Sequence, residues 1–131
     1  MITLEEARRI ISAAEDKARE IGVPMNIAVL DSGRNLKAFA RMEDAWLGSI
    51  EISIDKAYTS TSFDMSTQDL ANMAQPEQPL FGIHTTSNSR VVIFAGGIPI
   101  QREGEVVCAV GVSGGTPDQD QQVAEAGAAA L

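Results

Sequence analysis

Cysteine, histidine, tryptophan and tyrosine occur once each in this 131-residue chain. The lone cysteine, Cys108, rules out an intrachain disulfide. Within Val106-Val107-Cys108-Ala109-Val110 it reads as a small buried hydrophobe rather than a nucleophile. The lone histidine, His84, has no His/Cys/Asp constellation elsewhere to join, which excludes a structural zinc site. Bases are scarce too: 10 Lys and Arg against 18 Asp and Glu leave a net charge of −8. Nucleic acid and anionic membrane both demand clustered bases, so neither is expected as a partner. No apolar run is long enough to span a bilayer. Thr3-Leu4-Glu5-Glu6 opens an acidic helix where a signal sequence would place bases before an apolar stretch, so a cytoplasmic protein is expected. The Walker Gly-Lys-Ser/Thr ending, the Rossmann glycine spacing and the Gly-x-Ser-x-Gly elbow are all missing, which disfavours nucleotide binding and the common serine hydrolase.

What remains is an ordinary globular composition, 44% apolar and 21% charged, at a length that fits one domain over residues 1–131. Leu4, Ala7, Ile10, Ile11, Ala14, Ala18 and Ile21 recur at helical spacing. Thr3 with Glu6 caps that helix, and Gly22 and Pro24 stop it. Met25 to Leu30 and Leu36 to Ala40 read as a hairpin about Asp31-Ser32-Gly33-Arg34-Asn35. A helix over Gly48 to Ser62 is predicted to turn Ile50, Ile54, Ala57 and Tyr58 inward, and Ser66 with Asp69 caps a short helix ending near Ala74. Strands follow at Val91–Ala95, in a short Ile98-Pro99-Ile100 segment, and at Glu105–Val112. Thr116 and Pro117 start a last, alanine-rich helix. The order α-β-β-α-α-β-β-β-α, dominated by hairpins, predicts an α+β fold with a mainly antiparallel sheet.

Two glycine doublets, Gly96-Gly97 and Gly114-Gly115, close the two best strands 18 positions apart. Glycine admits positive φ or close approach to the backbone, so each doublet is either a tight turn or a set of exposed backbone donors. Gly114-Gly115 precedes a capped helix, a generic anion site, but Asp118 and Asp120 already complement that dipole. His84, among Thr85, Thr86, Ser87 and Asn88, is a candidate acid–base group or a ligand to haem iron, or else a plain surface residue. Arg41 is a candidate carboxylate clamp, or a partner for Glu43 or Asp44. Lys56 is the other candidate cation, with an ordinary surface pairing to Asp55 or Glu51 favoured. Trp46 and Met42 are expected in the core or at a subunit interface.

Taken in order, Arg41-Met42-Glu43-Asp44-Ala45, Leu47-Gly48-Ser49-Ile50, Asp55-Lys56-Ala57, Pro79-Leu80-Phe81-Gly82-Ile83, Gly96-Gly97-Ile98-Pro99 and Gly111-Val112-Ser113-Gly114-Gly115 with Asp118-Gln119-Asp120 resemble the GlcG/HbpS family. That family includes the C-terminal domain of PduO proteins. The resemblance implies a profilin-like antiparallel sheet flanked by helices, homo-oligomers, and an association with haem or a corrinoid. The glycine doublets and Arg41 match family motifs. Some haem-binding members take a histidine from the N-terminal region, and Leu4 to Glu20 contains none.

Three functions are therefore open. The first is a small-ligand-binding protein for haem or a corrinoid, with His84 or another side chain near the metal and Arg41 or Lys56 neutralising the propionates. The second is a small enzyme or accessory factor acting on a carboxylate or aldehyde in a catabolic pathway. In it His84 would serve as acid–base catalyst, and Gly96, Gly97, Gly114 and Gly115 would donate from the backbone. The third is a structural oligomerisation module.

Overall fold

A computed structural model describes all residues, Met1–Leu131. Helix α1 (Leu4–Ile21) opens on the expected capping box: the Glu6 amide donates to Thr3 Oγ1 at 3.1 Å and the Thr3 amide to Glu6 Oε1 at 3.0 Å. Strands β1 (Asn26–Asp31) and β2 (Leu36–Arg41) form the hairpin, with the Asp31 carboxylate accepting from the amides of Gly33 and Asn35. Helices α2 (Ser49–Phe63) and α3 (Thr67–Met73) follow, the second capped by Ser66. A single 3-10 turn covers Ile83–Thr85. Strands β3 (Gly97–Arg102) and β4 (Glu105–Ser113) lead to α4 (Pro117–Ala128), whose N-terminus carries a second capping box between Thr116 and Gln119.

The four strands make one antiparallel sheet in the order β2-β1-β4-β3, flanked by helices, which is the α+β, profilin-like arrangement expected. The pleat divides its side chains between two cores. Ile27, Val29, Cys108, Val110 and Val112 face α1 and α4 in the larger one. Ala28, Leu30 and Ala109 face Ala57 of α2 in the smaller. The α2 face is built from small residues, so the helix sits very close to the sheet. A Cβ at Gly111 would stand only 1.9 Å from the Ser53 carbonyl oxygen, which is why glycine is needed there.

Two expectations give way. Val91–Ala95 is not a strand: it is irregular, bends at Phe94 and Ala95, and lies outside the sheet with its backbone tied to α2, where the Val92 amide donates to Thr59 Oγ1 at 2.9 Å. The face of α2 is also rotated from the one expected. Ser49, Ser53, Lys56, Ala57, Thr59 and Ser60 are buried, whereas Ile50, Ile54 and Tyr58 are only half-buried. Close approach to the sheet favours short side chains at the contact and displaces the large ones to its margins.

Candidate ligand-binding site

Lys56 is not a surface residue. Its side chain is fully buried, and Nζ donates to Asp120 Oδ2 and to the Val112 carbonyl, both at 2.8 Å. Asp120 is not a solvated dipole complement. Its other oxygen, Oδ1, accepts from the Gly115 amide at 2.9 Å. Burial pushes the Lys56 ammonium below the usual lysine range, and the adjacent Asp120 charge opposes that shift. Burial likewise raises Asp120 above the usual carboxylate range, against the pull of Lys56 and of the Gly115 and Gly114 amides. Each charge is thus compensated by geometry, as a buried ion must be.

The glycine doublets are built around this pair. Gly96 takes φ of 125°, and a Cβ there would lie 2.6 Å from Lys56 Nζ, so only glycine lets the loop close over the ammonium. The Gly96 amide donates to Gln121 Oε1 at 3.1 Å and the Gly97 amide to Thr67 Oγ1 at 2.9 Å. With Gly115 held by Asp120, the amides of Gly96, Gly97 and Gly115 are committed to protein acceptors. Arg41 lies elsewhere, exposed at the end of β2 and without an ion pair. The structure therefore brings Lys56 and both doublets together, and leaves Arg41 and His84 apart from them.

His84 belongs to a different feature. A cleft of about 470 Å³ runs between α2 and the irregular segment 91–95, lined by Glu51, Ile52 and Asp55 on one side and Val91 to Phe94 on the other, with His84 also in its lining. A second cleft of about 490 Å³ shares Glu51, Asp55 and Ser89 with it and reaches Ile54, Asn88 and Arg90. Together they form one groove along α2. Ser87, Asn88 and Ser89 carry the chain round onto the helix in three successive left-handed conformations, φ 52°, 57° and 62°. Such a run in non-glycine residues stores strain of the kind that collects at ligand sites. The His84 ring meets Phe81 edge-on with centroids 5.8 Å apart, and its Nδ1 is buried with no hydrogen-bond partner.

Sequence reasoning did not find Asp120 as the partner of Lys56, nor Arg90 and Tyr58. Arg90 Nε donates to Asp55 Oδ1 at 2.8 Å, and its guanidinium carbon lies 3.8 Å from the Tyr58 ring centroid. A signal for Lys56 was available. Ser53, Lys56, Ala57 and Ser60 fall at i, i+3, i+4 and i+7, a stripe of small residues with one lysine inside it. Met42 packs at the margin of the larger core. Trp46, 68% exposed, is not in the core.

Fold, buried pair and groove define a small α+β protein with an open, partly apolar groove beside its second helix. The chain belongs to the HbpS-like family: the family described as haem degrading protein HbpS-like matches residues 2–129. It is 44% identical over 124 residues to a 15.0 kDa protein of Citrobacter freundii from the dhaT-dhaS intergenic region, covering 95% of this chain and 87% of that one. It is 33% identical to the corrinoid adenosyltransferase PduO of the same organism, with 99% of this chain matched to only 39% of PduO. The crystal structure of a PduOC:heme complex superposes with a TM-score of 0.95 at 29% identity, covering 99% of this chain and 94% of that one. No helix is long and apolar enough to cross a membrane.

Proposed function

We propose that this chain binds a planar tetrapyrrole, haem or a corrinoid, in the groove along α2, with His84 turned to the metal. The observation that carries this reading is the imidazole itself: a half-buried ring at an apolar wall whose Nδ1 has no protein partner. A buried polar atom left unpaired costs about 1–3 kcal/mol. Nδ1 has no accessible surface, so metal ligation falls to the ring's other nitrogen, Nε2, which no protein group holds. The residues present fit the group. Ile52, Val92 and Phe94 give a flat macrocycle an apolar face, and His84 gives its metal a nitrogen. Bound there, the group would supply a redox-active metal centre, while the chain would supply orientation and partial exclusion of water. The heme complex of the PduOC relative supports the same reading.

The acid–base enzyme finds less support, because the amides of Gly96, Gly97 and Gly115 already serve protein acceptors and Arg41 lies away from the groove. The exposed Trp46 and Leu47, next to Gly48 at the groove's edge, favour a homo-oligomer in which a second copy covers them.

The test is a spectroscopic titration. Hemin added to the wild type is expected to give a shifted, sharpened Soret band at a defined ratio, and His84→Ala to lose it. Hydroxocobalamin is titrated in parallel to separate the two ligand classes. An unshifted hemin spectrum together with unchanged cobalamin absorption in the wild type would overturn the reading. Light scattering of the same samples reads the assembly state, and a monomer at micromolar concentration would refute the oligomer.

A further inference from the structure

Two arginines converge on one aromatic ring beside the groove, and one of them, Arg90, lines it. The Arg90 guanidinium carbon lies 3.8 Å from the Tyr58 ring centroid and that of Arg34 lies 5.1 Å from it, which puts the two within about 9 Å of each other. Arg34 Nη1 also donates to Tyr58 Oη at 3.3 Å. They reach the ring from distant parts of the chain: Arg34 from the β1–β2 turn, at φ 67°, and Arg90 from just after the strained Ser87–Ser89 run. Asp55 compensates only one of the two charges, and only through Arg90 Nε. Arg34 has no carboxylate partner, and Nη1 and Nη2 of Arg90 donate to no protein acceptor. On a chain of net charge −8, two guanidinium groups share one ring while most other bases are paired.

We propose that Arg34 and Arg90, held against Tyr58, form the carboxylate-binding end of the groove and select a tetrapyrrole carrying acid side chains over one carrying amides. Like charges gathered on one ring repel unless an anion comes between them. Tyr58 stacking and the Asp55 bond to Nε fix the plane of Arg90, leaving its outer edge in the geometry that receives a carboxylate bidentately. Tyr58 lies seven residues beyond Glu51 on α2, so the cationic end stands about 10 Å along the helix from the end of the groove where Glu51 lines the cleft with His84. A separation of that order lets a macrocycle whose central metal faces His84 turn the acid side chains of its rim toward Arg90.

This inference rests on the tetrapyrrole reading above, and one experiment separates the two. Hemin and hemin dimethyl ester, whose propionates are blocked, are titrated against the wild type, R34Q, R90Q, R34Q/R90Q and H84A, with Soret absorption as readout and thermal unfolding to confirm the fold. The wild type is expected to prefer the free acid by about tenfold, and R34Q/R90Q to lose that preference while keeping its affinity for the ester. If R90Q fails to fold, R34Q, which leaves the Asp55–Arg90 pair intact, is expected to weaken the free acid alone by about threefold. Equal affinity for both ligands in the wild type, or parallel loss of both in the variants, overturns the role of the arginines. A shift lost in H84A but untouched by the arginine changes sinks this inference and leaves the reading standing. Uptake that depends on the arginines but not on His84 refutes His84 as the metal's ligand and leaves the arginine role standing, and no uptake by the wild type ends both.

Discussion

Removing the buried ammonium is the sharpest test of how this fold is held. Lys56→Met leaves Asp120 with its Gly115 hydrogen bond but without its counter-charge, in a site only 3% exposed. Breaking a buried pair from one side costs about 3–5 kcal/mol. At about 2.1 cal/mol/K per residue, a chain of this length has an unfolding entropy of roughly 0.28 kcal/mol/K, so the melting temperature should fall by about 11–18 °C. The deficit should also depend on pH. Burial already raises Asp120 above its ordinary 3.8, and loss of Lys56 raises it further. A raised carboxyl favours the folded state below the unfolded value and loses that contribution as pH climbs through the folded one. The gap between variant and wild type should therefore be smallest below the unfolded carboxyl value and widen as pH rises above it, by up to about 1.4 kcal/mol per unit. Urea unfolding followed by far-UV circular dichroism measures it. Asp120→Asn keeps an oxygen for Gly115, and the double variant should show coupling of about 0.5–3 kcal/mol. A pH-independent deficit below about 1 kcal/mol, or strict additivity, would show that the pair is solvated and refute the reasoning.

Gly111→Ala puts a methyl group where the Ser53 carbonyl stands 1.9 Å away, and α2 must lift from the sheet to admit it. A loss of at least about 3 kcal/mol in urea unfolding is expected, and one under about 1 kcal/mol would show that the close approach is not real. Burial pushes the Cys108 thiol from 9.0 up to about 12, so it should resist a thiol reagent at mildly alkaline pH until denaturant is added. Because the folded value is the raised one, the wild type should lose stability relative to Cys108→Ala as pH rises above about 9. Rapid labelling of the native protein would count against the burial of that residue.

Helix boundaries and caps were legible because they are local: Thr3 with Glu6, Gly22, Ser66, and Thr116 with Pro117 act within a turn of themselves. The hairpins were legible for the same reason. The phase of α2 was not, because its contact is with glycine and alanine on the sheet, and hydrophobic periodicity points to the large side chains such a contact excludes. The partner of Lys56 stands 64 residues away, beyond any pattern of spacing. The doublets were conspicuous, but the reason for them was not. A glycine kept for backbone freedom and one kept to make room for a buried ammonium look alike in one sequence. His84 was singled out by being alone of its kind. The cleft beside it depends on a left-handed run at Ser87–Ser89 that serine and asparagine do not announce.

A buried ion pair that an apolar pair could replace at little cost calls for another reason to be there. Its geometry offers one. Lys56 comes from α2, the Val112 carbonyl from the end of β4, and Asp120 from the first turn of α4, while Gly96 closes over the ammonium from the entry to β3. The irregular segment before Gly96 forms one wall of the groove, and Ile93, Phe94 and Ala95 make no backbone hydrogen bond of their own. That wall is fixed only at its ends, by the Val92 amide on Thr59 and by Gly96 in the buried cluster. Phe94 joins the two features: one edge lines the groove, and its ring centroid stands 5.0 Å from Lys56 Nζ. An aliphatic residue in place of Lys56 could fill the volume. It could not select, through directional bonds to Asp120 and Val112, the one loop position that sets Phe94 against the groove. The ion pair thus acts on the site by position, holding a wall that no strand pairing holds.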